Sequence, residues 1–178
     1  MFITLSGSTR EFRDSVAEAL RDHFAYRGVA VYIYDLLTPV DDMVLSSSIA
    51  AESHNINFSK DRMMSLILQE GRKESEGFWG RAAMSYSKTI TDKWDSLNMF
   101  YIAIMSSVMF KEDLNQFDVS FKVYLSDKSC AREDEFNDCA VSNIFDYVVD
   151  TNEQTPSGIA NLIGERVASK ISKAFSKE

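Results

Sequence analysis

Gly7 and Arg13 carry the spacing of a phosphate-binding loop, G-x-x-x-x-G-K-[ST], in the segment Gly-Ser-Thr-Arg-Glu-Phe-Arg-Asp-Ser at 7–15, with Asp14 at the final hydroxyl position and Ser15 one residue beyond it. Such a loop works because glycine lets backbone N–H groups close on phosphate oxygens. Its lysine reaches the β- and γ-phosphates, and its hydroxyl meets magnesium. Phe12 stands where the second glycine belongs and Arg13 where the lysine belongs. Phenylalanine adds bulk at the closest approach. Arginine keeps the charge but is planar and wider. The chemistry within reach is polyphosphate binding, with Gly7, Ser8, Thr9, Arg10, Arg13, Asp14 and Ser15 around the anion and Ser15 as the magnesium ligand. An ordinary strand-to-helix turn capped by Ser8 or Thr9 accounts for the same residues.

The elements that would position these groups follow from the flanking pattern. Residues 2–5 form an apolar run that reads as a buried strand. Phe12, Val16, Leu20 and Phe24 recur every four residues, one face of a helix over about 12–26 that stops at Gly28. Its first turn would offer free N–H groups and a positive dipole end. Residues 29–34, Val-Ala-Val-Tyr-Ile-Tyr, have the composition of a second strand, ending at Asp35. This strand–helix–strand order predicts a parallel sheet with a right-handed crossover. Residues 41–57 read as a helix fading into a mobile loop, because serines and polar residues dilute the stripe of Met43, Val44, Ile49 and Ala50. Ser59 is a candidate N-cap for a helix bearing Met63, Met64, Ile67 and Leu68. Phe78, Trp79, Ala82, Ala83 and Tyr86 predict another, with the Phe78–Trp79 pair in the core.

Further on, 99–105 reads as a central strand buried on both faces. A short helix follows at 108–114, then strands at 119–125 and 145–149. Pro156 opens the last helix, whose buried face carries Ile159, Leu162, Ile163, Val167, Ile171 and Phe175. Five strands interleaved with helices predict one three-layer α/β domain over 1–178, with a helical insertion at 41–95 and a charged segment at 127–140. Ligands in such folds bind beyond the carboxyl ends of the strands. That rule gathers the Gly7 turn, Asp35, Ser106 and the loop containing Arg132 around one crevice. Asp35 would contact metal or substrate there, or simply cap the turn that follows it.

Composition narrows the function classes. With 19 basic and 27 acidic residues, the formal charge of −8 argues against broad nucleic-acid binding and against anionic membrane surfaces. The apolar runs are too short to span a bilayer, and no basic stretch precedes the first one, so neither an anchor nor a signal peptide is expected. Two separated cysteines, Cys130 and Cys139, fit free thiols and a cytoplasmic location; with only His23 and His54, a zinc site is not expected.

Several segments together resemble a known family. Leu5-Ser6-Gly7…Arg13-Asp14-Ser15 is similar to the Leu-Ser-Gly-x-x-x-x-Gly-Lys-Asp-Thr of the phage-type deoxynucleoside monophosphate kinases, which are P-loop nucleotide kinases. Tyr34-Asp35-Leu36-Leu37 resembles that family's Ala-Asp-Pro-Leu-Lys. Leu66-Ile67-Leu68-Gln69-Glu70-Gly71 with Trp79 resembles its Leu-Leu-Gln-x-x-Gly…Trp helix. Arg132-Glu133-Asp134-Glu135 and 144–152 are similar to its lid and final strand. The resemblance implies a P-loop nucleotide-kinase-like fold and phosphoryl transfer from ATP, with Mg2+, to a deoxynucleoside monophosphate. Arg13 and lid residue Arg132 would neutralise transferred charge, while Asp35, Arg62, Gln69 and Arg72 would hold substrate. Small-molecule nucleotides are then the expected partners, with a homodimer or a protein partner as further candidates. If the chain is viral, the setting is the host cytoplasm.

The departures open a second reading. Besides Phe12 and Arg13, Ser106-Ser107 occupies the place of the acid and arginine that the family carries after the third strand. Ser65 stands four residues before Gln69, where the family has arginine. Phosphoryl transfer is mostly positioning and cationic stabilisation, so these losses strike at its main source of rate. A catalytically inactive pseudokinase, serving as a nucleotide-binding or protein-interaction module, fits them. A third reading is a flavodoxin-like FMN reductase, because Gly7-Ser8-Thr9-Arg10 resembles that family's Gly-Ser-x-Arg loop.

Overall fold

The computed structural model describes residues 1–97, 99–108, 110–117, 120–127 and 143–175. Strands β1 (Phe2–Gly7), β2 (Ala30–Asp35), β3 (Tyr101–Ser106), β4 (Ser120–Ser126) and β5 (Tyr147–Asp150) make one sheet in the order β2-β3-β1-β4-β5. Every pairing is parallel. Six described helices connect them: α1 (Arg10–Ala25), α2 (Thr38–Ser53), α3 (Lys60–Glu74), α4 (Phe78–Ser96), α5 (Lys111–Leu114) and α6 (Pro156–Phe175). The three-layer α/β domain with a five-stranded parallel sheet that the sequence predicts is the one observed.

Alternation along β1 and β3 sorts the core into two faces. Ile3, Leu5, Ile102 and Ile104 point to one side, where Val16, Leu20 and Phe24 of α1 meet Ile159, Ile163 and Val167 of α6. Ala103 and Met105 point to the other, against Ala83 of α4, Leu114 of α5 and Phe117. A third cluster joins Val40 and Val44 of α2 to Trp79 and Phe110, with Met63, Met64, Ile67 and Leu68 of α3 packed on it. The methionine pair and Trp79 are therefore packing residues. Trp79 Nε1 donates to Leu68 O at 3.2 Å, and a Cβ on Gly71 would lie 2.6 Å from the indole, so α3 and α4 close on each other only through that glycine.

Several boundaries differ from the sequence reading. β1 runs on to Gly7, and α1 begins at Arg10 rather than near Phe12, capped by Thr9, whose Oγ1 accepts from Phe12 N. Residues 38–53 form one continuous helix with Pro39 in its first turn, not a helix that fades. Its buried stripe is Val40, Val44, Ser48 and Ala51, and the serine disguised the period. Leu162 is exposed rather than on the buried face of α6. Ser59 caps α3 as predicted, accepting from Arg62 N. Of the 127–140 segment, all but Asp127 lies outside the described residues, and so does Arg132.

Candidate functional site

β1 is central, so the connection from β1 to α1 sits mid-way along the carboxyl edge of the sheet, where such folds bind ligands. That connection is short. Only Ser8 and Thr9 separate Gly7 from the first residue of α1. Gly7 has φ +77°, and a Cβ there would lie 2.3 Å from Leu125 O on the neighbouring strand, so the position admits only glycine. Ser8 follows with φ +48°.

The turn folds around a cation from its own chain. Arg13 is 1% exposed. Its Nη1 donates to Gly7 O and to Ser8 O, both at 2.8 Å, and its Nη2 donates to Ser107 Oγ at 3.4 Å. A phosphate cradle needs the opposite polarity, with consecutive backbone N–H groups turned inward. Here carbonyl oxygens converge, and they converge on guanidinium. Two N–H groups of the first helical turn are engaged as well: Phe12 N donates to Thr9 Oγ1 and Arg13 N to Thr9 O. Arg10, Glu11 and Phe12, which by spacing would wrap an anion, are already helical. Phe12 does not fill the turn; its ring packs against the α1–α6 core.

Arg10, Asp14 and Ser15 are held by neighbours, whereas the buried Ser8 Oγ has no hydrogen-bond partner among the described residues. Arg10 Nε and Nη2 donate to Asp35 Oδ2 at 2.8 and 2.5 Å, and Arg10 Nη2 also meets Asp41 Oδ2 at 2.6 Å. Burial alone would lower the Arg10 pKa; Asp41 and Asp35 outweigh it and raise the guanidinium above its ordinary value. The other Asp35 oxygen accepts from Leu37 N at 3.0 Å, so Asp35 caps the turn into α2 while it pairs with Arg10. Asp14 accepts from Ser106 Oγ at 3.3 Å. Burial first, then the neighbouring Asp35, pushes its carboxyl above the usual range. Ser15 is exposed and donates to Glu11 O at 2.9 Å, one turn back along the helix. The proposed magnesium hydroxyl thus faces away from the turn.

The residues assigned to substrate are not brought together. Arg62 lines a depression with Asn57, Phe58, Ser59, Met63 and Leu66. Gln69 and Arg72 line another, with Lys73, Glu76 and Glu112, where Arg72 pairs with Glu112 at 2.7 Å and lies over the Phe110 ring. Asp35 lines neither. Among the described residues no group of three or more His, Cys, Asp or Glu could hold a metal ion. The arrangement around the turn does not fit a polyphosphate anion: carbonyls face inward and acids outnumber guanidinium groups in the Arg10, Arg13, Asp14, Asp35 and Asp41 cluster, while the hydroxyl of Ser15, expected at magnesium, bonds back along its own helix.

Sequence reasoning missed Ser107, Asp41 and Asp113. Asp113 is 2% exposed and accepts from Gly80 N at 2.8 Å, capping α4 from a separate helix. Burial pushes its carboxyl up to about 6. One signal for Arg13 was present: it lies three residues before Val16 and four before Ala17, on the stripe that continues through Leu20 and Phe24.

No protein-family model matches this chain, and no curated protein matches it. Among solved structures, the crystal structure of shikimate kinase from Aquifex aeolicus VF5 aligns over 96% of this chain and 98% of that one. The identity is 16% and the TM-score 0.45. A likeness of that degree decides neither activity nor substrate. Among the described residues, no helix is long and apolar enough to cross a membrane.

Proposed function

We propose that this chain is a pseudokinase: a protein of P-loop nucleotide-kinase-like architecture whose phosphate turn is closed by its own arginine and which acts by binding a partner rather than by phosphoryl transfer. One observation carries the reading. The guanidinium of Arg13 takes the carbonyls of Gly7 and Ser8 at the place where backbone N–H groups would have to meet phosphate. The serines at 106 and 107 support it, since neither supplies the acid or the cation that transfer requires. The kinase reading, with a deoxynucleoside monophosphate as acceptor, needs Arg13 to leave its pocket and residues 10–12 to unwind from α1. The flavodoxin-like reading meets a different obstacle. That fold has the order 2-1-3-4-5, whereas here β3 lies between β2 and β1.

The test is a coupled assay of ADP release with ATP, magnesium and each of the four deoxynucleoside monophosphates. The expected result is no turnover above background. Sustained turnover with any one acceptor would overturn the reading. Replacing Phe12→Gly and Arg13→Lys together then reports on history: a gain of nucleotide binding in the double variant marks a turn that has lost a phosphate site.

A further inference from the structure

Among the described residues β2 is the end strand of the sheet and bonds only to β3. An end strand presents alternate N–H and C=O groups outward, and proteins usually blunt it with charge, proline, a bulge or shortness. β2 is six residues long and carries no charge, proline or bulge over 30–34, its one acid being the terminal Asp35. Its pairing to β3 runs without a bulge from Ala30 to Asp35. Its side chains are apolar or aromatic on both faces: Val31 and Ile33 reach one core cluster, Tyr32 and Tyr34 the other. Most of the strand is half-buried. The opposite edge is guarded. β5 has four residues, ends in Asp150, and is preceded by Asp146, which pairs with Lys170 and accepts from Lys122 N.

We propose that β2 pairs antiparallel with β2 of a second copy of this chain, joining the two sheets about a two-fold axis at Ile33. Charge selects this occupant. Each copy carries −8, so a self-contact must avoid like charges. Residues 29–34 carry none. Arg27 lies just before the strand; at or beyond its end lie Asp35, Asp41 and Asp42, and because Arg10 pairs with both Asp35 and Asp41, that end keeps a smaller net acidic charge. Antiparallel pairing sets the basic entry of one strand against the acidic exit of the other; a parallel partner would set acid beside acid.

Register follows from the pleat. Directly opposite residues of an antiparallel pair share a face. A two-fold axis normal to the sheet keeps each residue on its own face, so opposed positions must have the same parity. Any axis through a residue satisfies this; the one at Ile33 is chosen because it sets Tyr32 opposite the partner's Tyr34. In one copy Tyr32, Tyr34 and Tyr86 already form a row, with centroids 6.3 and 5.1 Å apart. The pairing continues that row across the joint.

Sedimentation of the full chain over a micromolar to sub-millimolar series tests the proposal. The expected limit is twice the 20.2 kDa chain mass. Tyr32→Lys, checked for its fold by circular dichroism, should weaken association by about tenfold or more, because an edge lysine opposes strand addition. An independent measurement uses a chain with Cys130→Ser, Cys139→Ser and Ile33→Cys. Opposed residues sit roughly 4.5–5.5 Å apart between Cα atoms, within disulfide reach. Oxidation should give a covalent dimer, while Leu162→Cys in the same background should not. A monomer throughout the series, or equal cross-linking at 33 and 162, would overturn the proposal.

Discussion

The guanidinium of Arg13 is held by two carbonyls and a hydroxyl from two strand ends, and it is shielded from water. Arg13→Ala leaves the Gly7 and Ser8 carbonyls unmet and opens a cavity, so it should destabilise the protein by about 3 kcal/mol. Urea unfolding monitored by circular dichroism measures this; an unchanged midpoint would mean that the arginine does not hold the turn. Gly7→Ala should cost at least ~2 kcal/mol, since a left-handed backbone is disfavoured for alanine and the methyl meets Leu125 O. A soluble Gly7→Ala variant of unaltered midpoint would contradict it. The loop residues were legible as a list, but their orientation was not. A pattern of letters fixes spacing along the chain, whereas the direction of the Gly7 and Ser8 carbonyls depends on where Arg13 goes. Arg13 goes inward because its position continues the Val16–Leu20–Phe24 stripe, and a charged letter hides that periodicity.

Asp113 and its neighbour Glu112 tie α5 to α4 and α3. The Asp113 carboxyl caps α4 at Gly80, Glu112 beside it pairs with Arg72 of α3, and Trp79 next to the cap packs on Gly71. The carboxyl is raised by burial from its ordinary 3.8 to about 6, so the folded state holds the proton more tightly than the unfolded chain. Stability from this group is therefore full below pH ~4 and is lost as pH rises through about 6, a change of roughly 3 kcal/mol at most. Asp113→Asn keeps an acceptor for the α4 N–H groups and removes the titration. Its unfolding free energy should vary less between pH 4 and 6.5 than that of the unaltered protein; identical pH profiles would sink the assignment. At this scale the sequence was read well where period or caps were clean, as for α3 behind Ser59 and α6 behind Pro156. It was read poorly for α2, where buried Ser48 faces inward while Leu45 and Ile49 face water. That inversion removes the contrast on which a periodicity argument depends.

The layered parallel sheet followed from alternation of strand and helix, since each apolar strand needed cover on both sides. The strand order could not follow. Placing β3 between β2 and β1 is a tertiary choice made by packing on both faces, and it distinguishes this chain from the flavodoxin-like arrangement. The same order leaves β2 at an edge, available for a second copy, while the carboxyl end of β1 holds Arg13 in place of an anion. The most direct measurement of that closed turn is a calorimetric titration of the full chain with magnesium-ATP. A turn closed by Arg13 gives no saturable heat and no rise in melting temperature at millimolar nucleotide. Saturable one-to-one binding that Gly7 or Arg13 substitutions abolish would contradict it.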